Sequence, residues 1–436
     1  MGVGLSVTGT FSLDKPVEDW LEQVASWLEN HEEEPLMTCH FGKSEEDQPT
    51  LFVKLHPCAE DVEISSPEPG VCLATAKTST AGPGYHIFLC DLLHSLGKHF
   101  GITWNAPEEA VEGDETGYFF QHDASAVRHE MLRWLGAVSH VIVENCKNEK
   151  DISLQMVSMP MDRRYPDQTG ILTPVGPRPP AWFERLAEKP EQGTEFFPWW
   201  QKGVGANFFV GRAVCRMWQQ LCWRPPITED EGELAMDIHH DLERAFHLDS
   251  DAKIPWREWA ELLGYLNDYF HYVEFQYEEI QEDEIQCRAA RIDPRLPLIG
   301  YRRGRVTVTL SAGWSITIPG DLVEEWEAGG ETWSACLGDR IVLFNSCSVA
   351  SADEGAPSAQ EILDSQTWPA DSEFIDFNHG ELLGRAVFRA DVVEGEHLWH
   401  LKAYSAVAGK FAEFHAYMPD ETGREWALEI WRSLQN

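Results

Sequence analysis

Hydrophobic spacing changes period along this chain, and that limits the fold more than any single motif does. Between residues 208 and 270 apolar side chains recur at steps of three and four, the period of helices burying one side. Phe209, Val210, Val214, Met217, Trp218 and Leu221 come first, and Trp256, Trp259, Leu263, Leu266 and Phe270 follow. From Arg305 onward the pattern alternates in twos, as in strands: His397, Trp399, Leu401 and Ala403 share one face, and Leu398, His400, Lys402 and Tyr404 the other. In the first 158 positions the two periods interleave. Such a chain is neither all-helical nor all-strand, and α+β is the expected class. We read a mixed α+β region over 1–158, a mostly helical region over 159–292 packed with it, and an antiparallel-sheet α+β sandwich over 304–436.

Within the first region, Asp14 followed by Lys15 and Pro16 opens a helix, with Val17, Trp20, Leu21, Val24, Trp27 and Leu28 on one side. Strand-like runs cover 36–41, 50–55, 61–65 and 71–78. A strong helix follows, carrying Tyr85, Phe88, Leu89, Leu92, Leu93, Leu96 and Phe100, and another spans 124–135 before the run 140–144. Six prolines between 160 and 180 predict an extended surface connection. Six arginines (288, 291, 295, 302, 303 and 305) form the single basic cluster and mark a domain boundary, where they are expected to pair with nearby carboxylates.

Charge excludes whole classes of function. The 436 residues hold 73 acidic against 34 basic side chains, a formal net charge of −39. From residue 300 the balance is 10 basic to 22 acidic, much the density of the rest, so no acidic tail accounts for it. Such a surface repels nucleic acid and anionic lipid and favours basic partners. Lys is scarce (12, against 22 Arg), which also fits halophilic adaptation, but 18 Trp and an ordinary apolar fraction do not.

Ten cysteines occur without C-x-x-C or zinc-ribbon spacing; free thiols in apolar segments suit a reducing, cytoplasmic setting. Neither a metal nor a cofactor is expected. The start matches the loose myristoylation pattern M-G-x-x-x-[ST] but reads equally as a Gly-rich first strand. No apolar run is long enough for a membrane span.

Residues 318–321 (Ile, Pro, Gly, Asp) close two opening strands, the long strand 340–349 precedes a short helix at 358–363, and three further strands lead to a C-terminal helix. That helix carries Trp426, Ala427, Ile430, Trp431 and Leu434. In this order and these phrases the last 135 or so residues resemble the Mog1/PsbP-like (DUF1795-type) α+β sandwich. The resemblance implies a non-enzymatic binding module and carries no catalytic residues with it.

Several constellations carry possible chemistry. Residues 78–85 run from a strand through Ser79, Thr80, Gly82, Pro83 and Gly84 into a helix start, where free N–H groups can cradle an anion; Lys77 lies beside them. Pro83 removes one donor, and the Walker ending is missing. Asp237, His239, His240 and Asp241 lie on one predicted helix, where Asp237 and Asp241 share a face and His240 lies beside Asp237, offering part of a metal site or a solvated acidic face. His122 with Asp123 suggests an acid–base pair, and Cys90 with His94 a nucleophile and base, although Cys90 lies near an apolar face. The segment 249–254 starts like a calcium loop but has Ile254 where glycine is needed.

Trp199 and Trp200 fit no apolar stripe and read as an exposed contact. With the acidic runs at 29–34, 108–115, 229–233 and 274–284, including Glu278, Glu279, Glu282 and Asp283, they form the candidate partner surface. The expected function is therefore a soluble acidic protein that binds a basic or amphipathic protein partner. Its concrete form is an immunity-like or effector-associated chaperone protein of a bacterial toxin system. The alternative is a hydrolase-like enzyme with its site in 1–290 near the 82–84 turn, recognisable by a pocket uniting that turn with His122 or His240.

Overall fold

The structure, a computed structural model, describes residues 2–12, 15–31, 35–44, 47–105, 113–148, 155–160, 162–270, 280–327, 332–349, 356–369, 372–393 and 396–436. It is α+β, with antiparallel sheets and several helices. The chain divides into two compact units: Met1–Met159 with Gln168–Gly300, and Pro160–Asp167 with Tyr301–Asn436. The regions read as 1–158 and 159–292 thus share one unit except for residues 160–167, which belong to the other, and the later boundary falls inside the arginine cluster.

The first unit is built on a six-stranded antiparallel sheet in the order β2-β3-β4-β5-β1-β6. Its strands are β1 (Gly4–Thr10), β2 (Thr38–Lys43), β3 (Pro49–Lys54), β4 (Val62–Ser65), β5 (Val71–Lys77) and β6 (Thr103–Trp104). Alternation places Val3, Leu5 and Val7 of the first segment in the core. Trp20, Leu21, Val24 and Leu28 of α1 (Val17–Glu29) are buried with them. Helix α2 (Pro83–Phe100) is buried on nearly every side of its first four turns, and Gly101, at φ 69°, closes it in the left-handed conformation that glycine tolerates best.

The short α3 (Tyr118–Gln121) leads to α4 (Ala124–Asn148), one continuous helix that absorbs the run 140–144. Next come α5 (Pro180–Glu188), α6 (Ala206–Gln219), α7 (Glu229–Leu248), α8 (Trp256–Phe270) and α9 (Glu282–Ala289). Ala213, Met217, Ile238, Leu242, Trp259, Leu262, Leu263 and Leu266 form the common core of α6, α7 and α8, joined by Ile285 of α9, whereas Trp182, Phe183 and Leu186 of α5 pack into the core of the sheet.

The second half of the proline-rich stretch 160–180 is not a surface connection, whereas residues 160, 162, 164, 167 and 169 are exposed. Ile171, Leu172 and Thr173 are fully buried, and Ile171 exchanges backbone hydrogen bonds with Arg178 at 2.8 and 2.9 Å. Those bonds satisfy the polar backbone that an extended segment would otherwise give to water.

The second unit contains β7 (Arg163–Arg164), β8 (Arg305–Thr309) and β9 (Ser315–Pro319) as a small sheet. Its seven-stranded antiparallel sheet runs β10-β11-β12-β16-β15-β14-β13. These are β10 (Val323–Trp326), β11 (Thr332–Leu337), β12 (Arg340–Ser348), β13 (Phe374–His379), β14 (Leu382–Val393), β15 (Glu396–Val407) and β16 (Lys410–Met418). Helix α10 (Ala359–Asp364) starts on a capping box made by Ser358 and Glu361. Helix α11 (Arg424–Arg432) buries Ala427, Leu428, Ile430 and Trp431, and the Trp431 indole donates to Ser405 Oγ at 3.0 Å.

Four of the six clustered arginines, Arg288, Arg295, Arg302 and Arg305, pair with carboxylates. Arg288 meets Glu284 at 2.7 Å, Arg295 meets Asp293 at 2.7 Å, and Arg305 contacts Glu429 and Asp167. Arg302 is buried: it donates to the carbonyls of Gly320 and Leu322 at 2.8 Å and reaches Glu324 at 3.3 Å. It therefore clamps the turn after residue 319 from inside its own unit.

Candidate functional site

The turn read as an anion cradle has no room for one. Ser79 and Thr80 are buried, and a Cβ on Gly84 would stand 2.1 Å from the Gln201 carbonyl and 2.4 Å from the Trp199 ring. On Gly82 (φ 111°) it would meet Phe197 at 2.6 Å. The Gly84 N–H already donates to the Trp199 carbonyl at 2.9 Å, and Lys77 is held by Glu60 at 2.7 Å. Close aromatic packing, not ligand approach, is the reason glycine stands at both positions. That packing also overturns the reading of Trp199 as exposed: its ring is fully buried against Tyr85, Phe88 and Phe208, and its indole N–H donates to Gly203 O at 3.1 Å. Trp200 is half-buried beside Phe197.

Two further readings fall on capping and burial. Asp123 caps α4 by accepting from Ser125 N–H at 2.9 Å and is held below the usual carboxylate range chiefly by Ser125. Cys90 is pushed well up by burial, the wrong direction for a nucleophile, while His94 Nε2 lies 2.7 Å from the Phe119 carbonyl.

Asp237, His240 and Asp241 do come together, on a groove of about 1010 Å³ in the first unit. Asp241 is not solvated. It lies 1% exposed and accepts from Arg212 Nε at 2.8 and 3.1 Å and from Arg216 at 3.2 Å. Arg216 also reaches Asp237 at 3.1 Å, while Arg212 lies over the Phe208 ring. Burial, with Arg212 alongside, pulls Arg216 below its ordinary value against the attraction of Asp241 and Asp237. These carboxylates therefore complete an ion-pair lattice between α6 and α7 and are not waiting for a metal.

The exposed side of α7 is different. Glu229, Glu233, Asp237, His240, Arg244 and His247 recur at steps of three and four on one face, and all six are exposed. The N-terminal half of this stripe is acidic and the C-terminal half basic, the sense the helix dipole favours. Its last four members, with Glu29 and His31, line the groove. Neither this groove nor the cavity holding His122 includes the 82–84 turn.

Among the remaining acidic candidates, Glu231 is bound by Arg224 through two contacts of 2.8 and 2.9 Å, and Asp114 is buried. Asp283 is exposed and Glu282 half-exposed at the start of α9. Glu278 and Glu279, like residues 32–34, 108–112 and 274–277, lie outside the described residues.

Two buried clusters go beyond the sequence reading, which placed His86 beside the 82–84 turn but gave it no partners. In one, His86 lies between Thr78 (2.8 Å) and Thr116 (2.9 Å) with Asp114 at 3.0 Å. In the other, His56, Cys58 and Cys215 face one another. The dipeptide spacing His56, Pro57, Cys58 is the signal that could have found it; Cys215, far along the chain, had none.

The second unit carries a titratable row across β14, β15 and β16, with Asp391 of β14 3.5 Å from His400 Nδ1. His400 Nε2 lies 2.9 Å from His415 Nδ1, His415 Nε2 is 3.0 Å from Glu413, and Tyr417 stacks on His400 at 4.4 Å. Burial and the neighbouring His415 bring His400 down to about 4. The unfolded chain takes up this proton near pH 6.5, so stability falls as pH drops from 6.5 toward 4. We expect His400→Gln to flatten that acid limb by on the order of 2–3 kcal/mol, read from denaturant melts between pH 4 and 7. An unchanged slope would show that the row does not titrate as its surroundings dictate.

No family model and no curated protein matches the chain. Among solved structures it is similar to a protein of Bacteroides thetaiotaomicron VPI-5482, at 15% identity and a TM-score of 0.24. That similarity covers 30% of this chain and spans about half, 48%, of the other.

Proposed function

We propose that this is a protein-binding protein whose partner is basic or amphipathic, and that the exposed face of α7 is its principal contact. The carrying observation is the distribution of charge. Arginines are drawn into internal pairs at Glu231, Asp241, Glu284, Asp293 and Glu324. Even one-to-one pairing of every cation leaves 39 carboxylates over. Glu229, Asp230 and Glu233 stand exposed at the start of α7, with Asp283 and the half-buried Trp200 as further contacts. A mixed-charge stripe beside a polar groove suits a protein surface better than a small apolar ligand.

An immunity-like or effector-associated chaperone role in a bacterial toxin system is the concrete form of this reading. It draws support from the seven-stranded antiparallel sheet and closing helix in the segment that resembles Mog1/PsbP-like sandwiches. The hydrolase-like alternative loses its proposed site, because aromatic rings fill the space around the 82–84 turn.

Low-salt capture from a native lysate is expected to recover one basic protein. With that partner purified, raising salt from about 50 to 500 mM should slow association at least tenfold. Combined Glu229→Lys, Asp230→Lys and Glu233→Lys should do the same at low salt. A partner bound equally at both salts and by both proteins would overturn the assignment.

A further inference from the structure

Two buried clusters in the first unit each bring a histidine together with cysteine or carboxylate ligand atoms within 4.8 Å of one another. They differ in how their polar atoms are satisfied. Around His86, both ring nitrogens have hydroxyl or carboxylate neighbours at 2.8–3.0 Å. Asp114 accepts from the N–H groups of Thr116 and Phe119 at 2.7 Å and from the Thr116 hydroxyl at 2.8 Å. Every strong acceptor there is engaged, so the cluster is a closed hydrogen-bond lattice.

His56, Cys58 and Cys215 are arranged otherwise. Cys58 Sγ stands 3.2 Å from His56 Nδ1 and 3.5 Å from the Thr80 carbonyl, and it faces Cys215. His56 and Cys215 are fully buried and Cys58 is 8% exposed. His56 Nε2 and the Thr80 hydroxyl are buried with no hydrogen-bond partner. Aromatic rings wall the site, Trp199 at 6.2 Å and Phe208 at 6.1 Å from the imidazole. A buried imidazole facing two thiols with its outer nitrogen unsatisfied is a costly arrangement for a plain apolar core.

We propose that His56, Cys58 and Cys215 bind a thiophilic divalent cation of the zinc class, joining the loop after β3 to α6. Two sulphurs and one imidazole nitrogen are the donor set that selects zinc over magnesium or calcium. In a tetrahedral site, zinc–sulphur bonds of about 2.3 Å and zinc–nitrogen bonds of about 2.0 Å hold the two ligand atoms about 3.5 Å apart, so the 3.2 Å between Cys58 Sγ and His56 Nδ1 needs only a small opening. Thr80, whose carbonyl faces Cys58, is the neighbour placed to complete the shell. Binding replaces the thiol protons, which leave to solvent, so affinity falls as pH falls. His56 and Cys58 come from one loop and Cys215 from a helix some 160 positions later, so the ion ties distant parts of one unit and is structural in character.

The test uses the reduced, metal-free, full-length chain. Cobalt(II) should bind at one equivalent with thiolate-to-cobalt charge-transfer absorption, and zinc should displace it and raise the melting temperature. Cys58→Ala and Cys215→Ala should each abolish the absorption, whereas Cys287→Ser with Cys347→Ser, both exposed, should keep it. X-ray absorption of the zinc complex of the unaltered chain should show two sulphurs at about 2.3 Å, a readout that does not depend on any variant folding. An oxygen- and nitrogen-only shell, no cobalt charge transfer, absorption that survives Cys215→Ala, or a Cys58–Cys215 disulfide in the native protein would each overturn the proposal.

Discussion

Asp241→Ala should cost the first unit about 3–5 kcal/mol, the loss expected when one partner of a buried ion pair is removed and the other charges stay behind. Asp241 is 1% exposed and is held by two arginines that are themselves buried, Arg212 at 9% and Arg216 at 6%. Without the carboxylate, Arg212 keeps its contact with the Phe208 face but loses its anion. Among the described residues, Arg216 then keeps the exposed Asp237 as its carboxylate partner. The urea midpoint of the first unit should fall by roughly 1 M or more. Because the chain has two units, that transition must be followed by a probe local to α6–α8, such as amide hydrogen exchange of those helices. Asp237→Asn is the control: its side chain is 56% exposed, and the expected loss is below about 1 kcal/mol. Equal effects from the two substitutions would show that burial does not govern this lattice.

The second large effect lies at Asp114. Its side chain is 1% exposed and accepts from two backbone N–H groups and a hydroxyl, with the His86 imidazole at 3.0 Å. Asp114→Ala leaves those groups facing an empty space, at a cost of about 3 kcal/mol or more. His86 and the backbone N–H groups of Phe119 and Thr116 hold the carboxyl at about 2 despite burial, below its ordinary 3.8. A depressed folded value means stabilisation that is complete above the unfolded value and disappears as pH falls from about 4 through 2. Roughly 2 kcal/mol should therefore vanish over that window. Asp114→Asn should remove the acid dependence while retaining part of the hydrogen bonding. Acid melts of the two proteins that run parallel below pH 4 would contradict this account.

The element pattern was largely legible. Apolar stripes at helical spacing became α1, α2, α6 and α8, and most of the alternating runs became strands, because each stripe needs only one buried side to form. The proline-rich stretch was misread because its backbone partners are tertiary: Ile171 pairs with Arg178 and Met156 with Leu172. The strands β10, β11 and β13 escaped as well, being short or rich in polar residues, and they are defined by their register against β12 and β14.

Site reading was weaker, for a consistent reason. Glycines at 82 and 84 signalled a place where something approaches the backbone closely, but sequence does not say whether a phosphate or a tryptophan does so. Trp199 and Trp200 fitted no stripe because Trp199 packs between elements instead of along one. Asp237 and Asp241, one turn apart on α7, looked equivalent; one is exposed and the other buried.

By itself, then, the sequence determined the α+β class, the change of character near residue 300 and an excess of carboxylates that no internal pairing can absorb. These are properties of local period and of composition, which need no knowledge of contacts. Tertiary structure alone decided which charges are solvated, which glycines are filled by aromatic rings, and that His56 and Cys58 meet Cys215. Burial and ligand geometry depend on residues far apart in the chain, and one-dimensional spacing does not encode those distances.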